Sequence, residues 1–258
     1  MKRLSVVLIY FYLFAGSGLI FASDGDVSGM SYVCRDPAGR YRWQADTRIS
    51  NIRPGVYVMV EKAEGVYSSF DGRVSWVARM EFERTKDNIR PLRLNKRVFD
   101  ERGNMIRLET QEFDLAGNTG TCTHEEPARN ISRTKKFRFN KDVVNRLSLA
   151  LYIQKFLESG KVREKVQMVS EEPNVYDIEL TRLGKETIEV NGRKRTAYRL
   201  LIDPVLGLFD FVKIFLPKAY AWHSAEGGYE WLRYAGPEGG IKSAKVEVTV
   251  VSYDQKVF

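Results

Sequence analysis

The sequence predicts a mainly β protein, in which a large curved antiparallel sheet or half-open β-barrel packs on one central α-helix. Apolar and polar residues alternate with a period of two along much of the chain, as in strands with one dry and one wet face. Short turns rich in Gly, Asn and Asp separate these runs, and strands joined by short turns must be antiparallel. One segment alone has clear helical spacing. We expect about ten to twelve strands, which must twist and partly close.

The first 22 residues have the pattern of an export signal. Lys2 and Arg3 precede an apolar run, and the small residues Ala22 and Ser23 precede Asp24. This order of basic, apolar and small residues is typical of a leader cleaved after Ala22. We therefore expect a signal peptide over 1–22 and a periplasmic or otherwise exported protein. The alternative is an uncleaved segment that anchors the chain in the membrane.

The rest of the chain, 23–258, is expected to form a single β-rich domain. The alternative is two small β domains that divide near 119–134. Hydrophobic residues make up 43% of the sequence, which is enough for a substantial core. The formal charge of +8 falls to +6 without Lys2 and Arg3. A mildly basic exported protein is soluble and can touch anionic lipid at the membrane periphery, whereas nucleic acid is not an expected partner there.

Strands are predicted wherever the alternation is regular. It is regular over 41–49, 176–180 and 244–250, and clearest at Val74, Trp76, Ala78, Met80 and Phe82. Residues 56–60 are apolar on both faces, which predicts a strand in the middle of the sheet. Asn191-Gly192 separates two strand-like runs, and these residues favour the positive φ angles of a tight hairpin turn.

The helix is predicted between Asn140, as its N-cap, and Gly160, where it stops. Apolar residues recur between them at three- and four-residue spacing. A second apolar segment over 205–215 lies between Pro204 and Pro217. It is too apolar for an ordinary exposed loop, so we expect a lid or a membrane-touching flap.

The two cysteines, Cys34 and Cys122, suggest one disulfide bridge in an oxidising compartment. The alternative is a metal pair, because Cys122 and His124 fall on the same side of a strand-like run. Two ligands are only half of a structural zinc site, and we expect no metal site.

The common catalytic motifs are missing from the sequence. It has no G-x-S-x-G, H-E-x-x-H or C-x-x-C motif and no Gly-rich phosphate loop. We therefore expect a protein that is not an enzyme, has no catalytic residues and uses no cofactor. A hydrolase acting on cell-wall glycan is a third hypothesis, since carboxylates such as Glu171 and Glu172 are plentiful and such pairs can come from distant segments.

Aromatic residues near one predicted hairpin are the candidate ligand-binding residues. They are Trp222, Tyr229 and Trp231, joined by Phe209 and Phe215 from the apolar segment. They either fill the core or line an apolar cavity, the usual form of a small-molecule site. The leading hypothesis is an exported protein that binds or carries an apolar envelope ligand such as a lipid or lipoprotein.

The alternative function is a structural or assembly factor that binds another envelope protein through a sheet edge or through the apolar segment over 205–215. Basic residues at 133, 135, 136 and 138 alternate with aromatic ones. This pattern is typical of a strand with its cations in water, although such cations can also bind phosphates or acidic sugars.

From 140 to 251 the chain resembles a bacterial envelope family known as a periplasmic domain of unknown function. The matching features are the helix ending at Gly160, the strand leading into Gly184-Lys185-Glu186, the strand holding Trp222 and the turn at Gly239-Gly240. The family is similar to the half-barrels of lipoprotein and lipid carriers, which implies a half-barrel fold and implies carrying only by analogy. This chain lacks the family's proline after the Trp-strand turn and carries the 205–215 segment in addition. The resemblance brings no catalytic residues.

Overall fold

The structure is a computed structural model that describes residues 28–170, 174–205, 216–239 and 243–255. The predicted leader over 1–22 lies outside these residues, as does most of the apolar segment over 205–215.

The described chain consists mostly of β-strands, with one α-helix, α1 (Arg146–Glu158), and a short 3-10 turn, Pro127–Arg129. The strands are β1 (Ser28–Arg35), β2 (Tyr41–Arg53), β3 (Val56–Val66), β4 (Arg73–Arg84), β5 (Ile89–Asp100), β6 (Met105–Asp114), β7 (Thr119–Glu126), β8 (Ile131–Arg138), β9 (Val143–Asn145), β10 (Arg163–Val169), β11 (Val175–Val190), β12 (Arg193–Pro204), β13 (Ala219–Ser224), β14 (Trp231–Pro237) and β15 (Lys245–Gln255).

These strands form one 15-stranded sheet in the order β8-β7-β6-β5-β4-β3-β2-β1-β15-β14-β13-β12-β11-β10-β9. Neighbouring strands in the described sheet are antiparallel, apart from the parallel pair β9 and β10. The first and last strands, β1 and β15, pair in the middle and join two long meanders. The predicted class, a large curved antiparallel sheet with one helix, is confirmed. The expected ten to twelve strands were too few, because strands such as the three-residue β9 have no readable alternation.

Local patterns predicted several elements correctly. In β4 the buried positions are Val74, Trp76, Ala78, Met80 and Phe82, with exposed residues between most of them. Strand β3 lies between β2 and β4, as expected for a run that is apolar on both faces.

The predicted hairpin turn at Asn191-Gly192 joins β11 to β12. Its two residues have φ angles of 53° and 70°, which suit the mirror-image turn that matches the twist of a hairpin.

The helix begins later than the sequence pattern indicates. Its N-cap is Asn145 rather than Asn140: the Asn145 side chain accepts from the backbone N–H of Ser148, and the Ser148 hydroxyl accepts from the N–H of Asn145. The preceding residues form β9 instead, pairing with 167–169 of β10. Two successive β-branched valines, Val143 and Val144, fit a strand better than a first helical turn.

The sheet curls around α1 and buries it from two sides. Leu151 packs with Ile49 and Met59 from one half of the sheet. Ile153, Phe156 and Leu157 pack with Ile178, Leu180 and Leu200 from the other half. The helix therefore packs inside the concave side of the curved sheet, and the burial of its apolar side chains stabilises the fold.

The predicted disulfide bridge is wrong, because Cys34 and Cys122 are both free and buried. They lie on β1 and β7, which stand six strands apart in the sheet, and in different hydrophobic clusters. A bridge needs Cα atoms within about 7 Å, whereas neighbouring strands alone are about 4.8 Å apart. Burial instead raises the pKa of each thiol to about 12.

The pairing of β7 with β8 bears on the alternative of two small domains. Strands β7 and β8 pair continuously from Thr119 to Arg138, across the region where a division into two domains is the alternative. The single domain over 23–258 stays a prediction.

In the described part of the chain, no helix is long and apolar enough to cross a membrane. The same residues contain no group of three or more His, Cys, Asp or Glu side chains placed to hold a metal ion.

Candidate ligand-binding site

A cavity of about 290 Å³ lies between α1 and the inner face of the sheet. Strands from both halves of the sheet contribute to its wall, and so does the side of α1 that faces them. Most of the lining is apolar, and its apolar members include Met30, Ile49, Met59, Leu151, Val246 and Val248. A concave, mostly apolar surface with a few convergent polar groups is the usual form of a small-molecule site.

One end of this cavity is polar and is organised around Glu61 on β3. The Glu61 carboxylate is buried and accepts hydrogen bonds from the Tyr32 hydroxyl and, at 2.7 Å, from Trp76 Nε1. Burial, and then the nearby Glu61 carboxylate, raise the pKa of Tyr32 well above its ordinary value. Tyr32 is therefore a neutral hydrogen-bond donor that holds Glu61 in place.

Arg146, the first residue of α1, reaches the same end of the cavity. Its guanidinium carbon lies 5.7 Å from the centre of the Trp43 ring and 5.4 Å from that of Tyr67. Its Nη1 donates to the Tyr67 hydroxyl at 3.2 Å. The capped start of α1 thus fixes where this cation stands, because the N-cap at Asn145 immediately precedes it.

Glu238, at the end of β14, lines the cavity and ties distant parts of the sheet together. Its carboxylate accepts from Trp43 Nε1 at 2.6 Å and from the backbone N–H of Ser68 at 2.6 Å, and it pairs with Arg42 at 3.2 Å. Its side chain is fully buried. A buried charge of this kind needs all of these partners to offset its desolvation.

A second, smaller cavity of about 20 Å³ adjoins the polar end, and Glu61 and Arg146 line both cavities. Lys96, Glu109 and Gln111 complete its polar wall. Glu61, Ala78, Lys96 and Glu109 stand directly opposite one another on β3, β4, β5 and β6, so they form a row across the inner face. Thr47 on β2 extends the row at one end and His124 on β7 at the other.

Three of the predicted ligand-binding residues fall in the described part of the chain, and of these Trp231 lies in the cavity wall. The Trp222 ring packs elsewhere: Arg233 and Arg199 lie over it at 5.0 and 5.8 Å, and its Nε1 donates to Glu186 at 2.5 Å. Trp222 is therefore not among the residues that line this cavity, and its role in ligand binding stays a prediction.

Tyr229 also does not line the cavity. It sits in a turn with a φ of 56°, packs against the cluster around the helix, and accepts a hydrogen bond from His223 Nδ1 on its backbone carbonyl. Phe209 and Phe215 lie outside the described residues, so their role stays a prediction. Pro204 and Leu216, which flank the segment 205–215 in the sequence, both line the cavity.

Sequence reasoning missed the charged residues inside the sheet. Glu61 falls between Met59 and Ala63 at two-residue spacing, and all three are buried. Lys96 falls in the same way between Leu94 and Val98. The sequence signal for these buried charges is a charged residue at a position where the alternation of the strand predicts an apolar, inward-facing one. An ordinary solvated face explains most carboxylates, which is why this signal was overlooked.

The sequence matches no family model, and no curated protein matches it. Among solved structures, a β-barrel-like protein of the domain of unknown function DUF1849, from Brucella abortus, is similar with a TM-score of 0.57 at 8% identity. The match covers 92% of this chain and 100% of that chain. A protein with a YmcC-like fold from Bacteroides fragilis has a TM-score of 0.35 at 8% identity, covering 90% of this chain and 97% of that one.

The fold and the cavity therefore define a class: an open, β-barrel-like sheet curled around one helix. Within that class, the arrangement seen here is similar to that of the DUF1849 protein. At 8% identity this likeness concerns the fold alone.

Proposed function

We propose that this is an exported, non-enzymatic protein that binds an apolar envelope ligand, such as a lipid or the lipid part of a lipoprotein, inside its curved sheet. The observation that carries the proposal is the apolar cavity of about 290 Å³ between α1 and the sheet. Export is inferred from the pattern of the first 22 residues. The resemblance to the half-barrels of lipid and lipoprotein carriers supports the same reading.

The size and lining of the cavity set what it can hold. Its volume is at the low end of the range of about 300–1,000 Å³ for ligand pockets. A whole two-chain lipid is too large for such a space, whereas a single acyl chain is a suitable occupant. A cavity this large left empty weakens packing, so filling it with apolar atoms stabilises the fold.

Ala150 on α1 lines the cavity, so Ala150→Phe is expected to fill it. Native mass spectrometry of the gently purified chain should show a co-purified apolar ligand, and this ligand should be lost from the variant. Thermal unfolding should show stabilisation of the natural chain by an envelope lipid extract and little for Ala150→Phe. Ala116→Phe, on the exposed turn between β6 and β7, is the matched control and should behave as the natural chain.

The proposal fails if the natural chain carries no ligand and gains no stability from any envelope lipid fraction. It also fails if Ala150→Phe folds and still takes up lipid as well as Ala116→Phe does. The export step is checked separately, by measuring the mass of the chain recovered from the periplasm for loss of residues 1–22.

A second candidate function is favoured by the basic edge of the sheet. Strand β8 stands at one end of the described sheet, and its exposed side chains include Arg133, Lys135, Lys136 and Arg138. An acidic extended segment of an envelope protein could add there as a further strand, gaining both backbone hydrogen bonds and ion pairs.

Crosslinking in intact cells tests this second candidate. A single protein partner should be lost from the variant Lys136→Glu with Arg138→Glu. The same charge change on the exposed face of the middle of the sheet, Lys62→Glu with Arg97→Glu, should leave it in place. Equal crosslinking in both variants contradicts binding at β8.

A further inference from the structure

We infer that the ligand of the cavity is an uncharged amphiphile, whose hydroxyl or amide end lies against Glu61 and Arg146. This inference rests on the proposed function and adds the chemical class of the ligand to it. It follows from where the polar groups stand and from how their charges balance.

The polar end of the ligand is located by the boundary between the two cavities. Glu61, Arg146 and Leu147 are common to both linings, so the polar groups at the boundary of the apolar space of about 290 Å³ are Glu61 and Arg146. The adjoining space of about 20 Å³ is the size of one water molecule. Gln111 lines this space and is 1% exposed, and its Oε1 has no hydrogen-bond partner among the described residues. A polar group is therefore needed at this boundary.

The formal charges around the two cavities cancel. The charged lining residues are Glu61, Glu109 and Glu238 on one side and Lys96 and Arg146 on the other, and Arg42 pairs with Glu238. Three negative charges are thus balanced by three positive ones, of which Arg42 reaches Glu238 from outside the cavity lining. A carboxylate or phosphate entering this site adds an uncompensated charge in a buried space, and an ammonium group does the same with the opposite sign.

The hydrogen-bonding chemistry of the boundary points to the same class. Arg146 can only donate and an ionised Glu61 can only accept. A hydroxyl or amide can accept from the first and donate to the second at once, whereas a carboxylate can satisfy only the donor. The ligand that matches both side chains is therefore neutral and has both functions.

Three probes of equal chain length test this inference: decan-1-ol, decanoate and decylammonium. Binding to the full mature chain is measured by the rise in melting temperature and by titration calorimetry at pH 7.4. Decan-1-ol is expected to bind at least about tenfold more tightly than either ion, since one unpaired charge in a buried site costs more than this factor.

The variant Glu61→Gln makes the test specific to the charge balance. It keeps an oxygen acceptor for Trp76 Nε1 and turns an amide N–H toward the Tyr32 hydroxyl, which can accept from it. The site is left with one net positive charge. Decanoate should then gain at least about tenfold in affinity, while the affinity for decan-1-ol changes by no more than about threefold. Glu109→Gln makes the same charge change if the first variant folds poorly. Glu64→Gln, exposed on the same strand as Glu61, is the matched control and should change neither affinity.

The outcomes separate this inference from the proposed function. Decanoate binding as tightly as decan-1-ol to the natural chain overturns the inference, as does a decanoate affinity that neither Glu61→Gln nor Glu109→Gln raises. The proposed function survives both of those results. Binding of none of the three probes, together with no stabilisation by envelope lipid, removes the proposed function itself.

Discussion

At the scale of single residues, the interior of this sheet holds more titratable groups than its apolar strands suggest. Glu61, Lys96 and Glu109 are each at most 7% exposed. Residues of these types are rarely buried unless they are paired, and their charges are of both signs. They stand in one cross-strand row, in which Lys96 lies directly opposite Glu109.

His223 gives the clearest dependence of stability on pH. It is fully buried, with Nδ1 2.8 Å from the backbone carbonyl of Tyr229, and burial lowers its pKa from 6.5 to about 4. Between these values the unfolded chain binds a proton that the folded chain does not. The free energy of unfolding should therefore fall by roughly 3 kcal/mol as the pH drops from about 6.5 to 4.

The variant His223→Asn isolates this effect, because it keeps a donor near the Tyr229 carbonyl but has no group that titrates. Urea unfolding at a series of pH values should show a shallower slope for the variant than for the natural chain, by about one proton, between pH 4 and 6.5. Parallel slopes in the two proteins would assign the acid sensitivity to other groups.

At the scale of elements, α1 shows how a helix boundary is decided. Helical spacing extends back to Val143, and Asn140 is a good capping residue. The chain instead uses 143–145 as a strand beside β10 and begins the helix after Asn145. Sheet pairing satisfies the backbone groups of these residues, which a frayed first helical turn would leave to water.

Replacing each candidate cap measures which one is used. Asn145→Ala removes the acceptor for the Ser148 N–H and should lower the free energy of unfolding by about 1 kcal/mol or more. Asn140→Ala, at an exposed position before β9, should change it by less than about 0.5 kcal/mol. Denaturant unfolding compares the two, and an equal loss in both variants would contradict the helix start at Arg146.

At the scale of the whole molecule, a few contacts hold the ends of the chain together. Strand β1 pairs with β15, and Glu238 near the C-terminal end bonds to Arg42, Trp43 and Ser68 near the other end. These contacts close the middle of the sheet, where the cavity lies. The order of the sheet depends on them because no local turn joins β1 to β15.

Loss of the Glu238 carboxylate should therefore be severe. Glu238→Ala leaves Trp43 Nε1 and the Arg42 guanidinium without their acceptor, and should lower the free energy of unfolding by about 3–5 kcal/mol. Glu247→Ala removes a surface pair with Arg233 and should cost less than about 1 kcal/mol. Thermal and denaturant unfolding give both values, and a loss below about 1 kcal/mol for Glu238→Ala would show that the sheet closes without this contact.

The candidate site was only partly readable before the fold was known. Trp231 lies in the cavity wall, whereas Trp222 lies outside it. The register shift between β13 and β14 falls at Trp222, and local alternation does not predict such a shift. The polar end at Glu61, Arg146 and Glu238 joins residues far apart in the chain, which local patterns cannot place together.

The sequence by itself determined the antiparallel class, the tight hairpin at Asn191-Gly192 and the presence of one helix. These features depend on residues close along the chain, through alternation, turn chemistry and helical spacing. Only the tertiary structure decided that Cys34 and Cys122 stay apart, that β1 meets β15, and that a charged row borders an apolar cavity. These features depend on which distant strands become neighbours, and that is set by closing the whole sheet around α1.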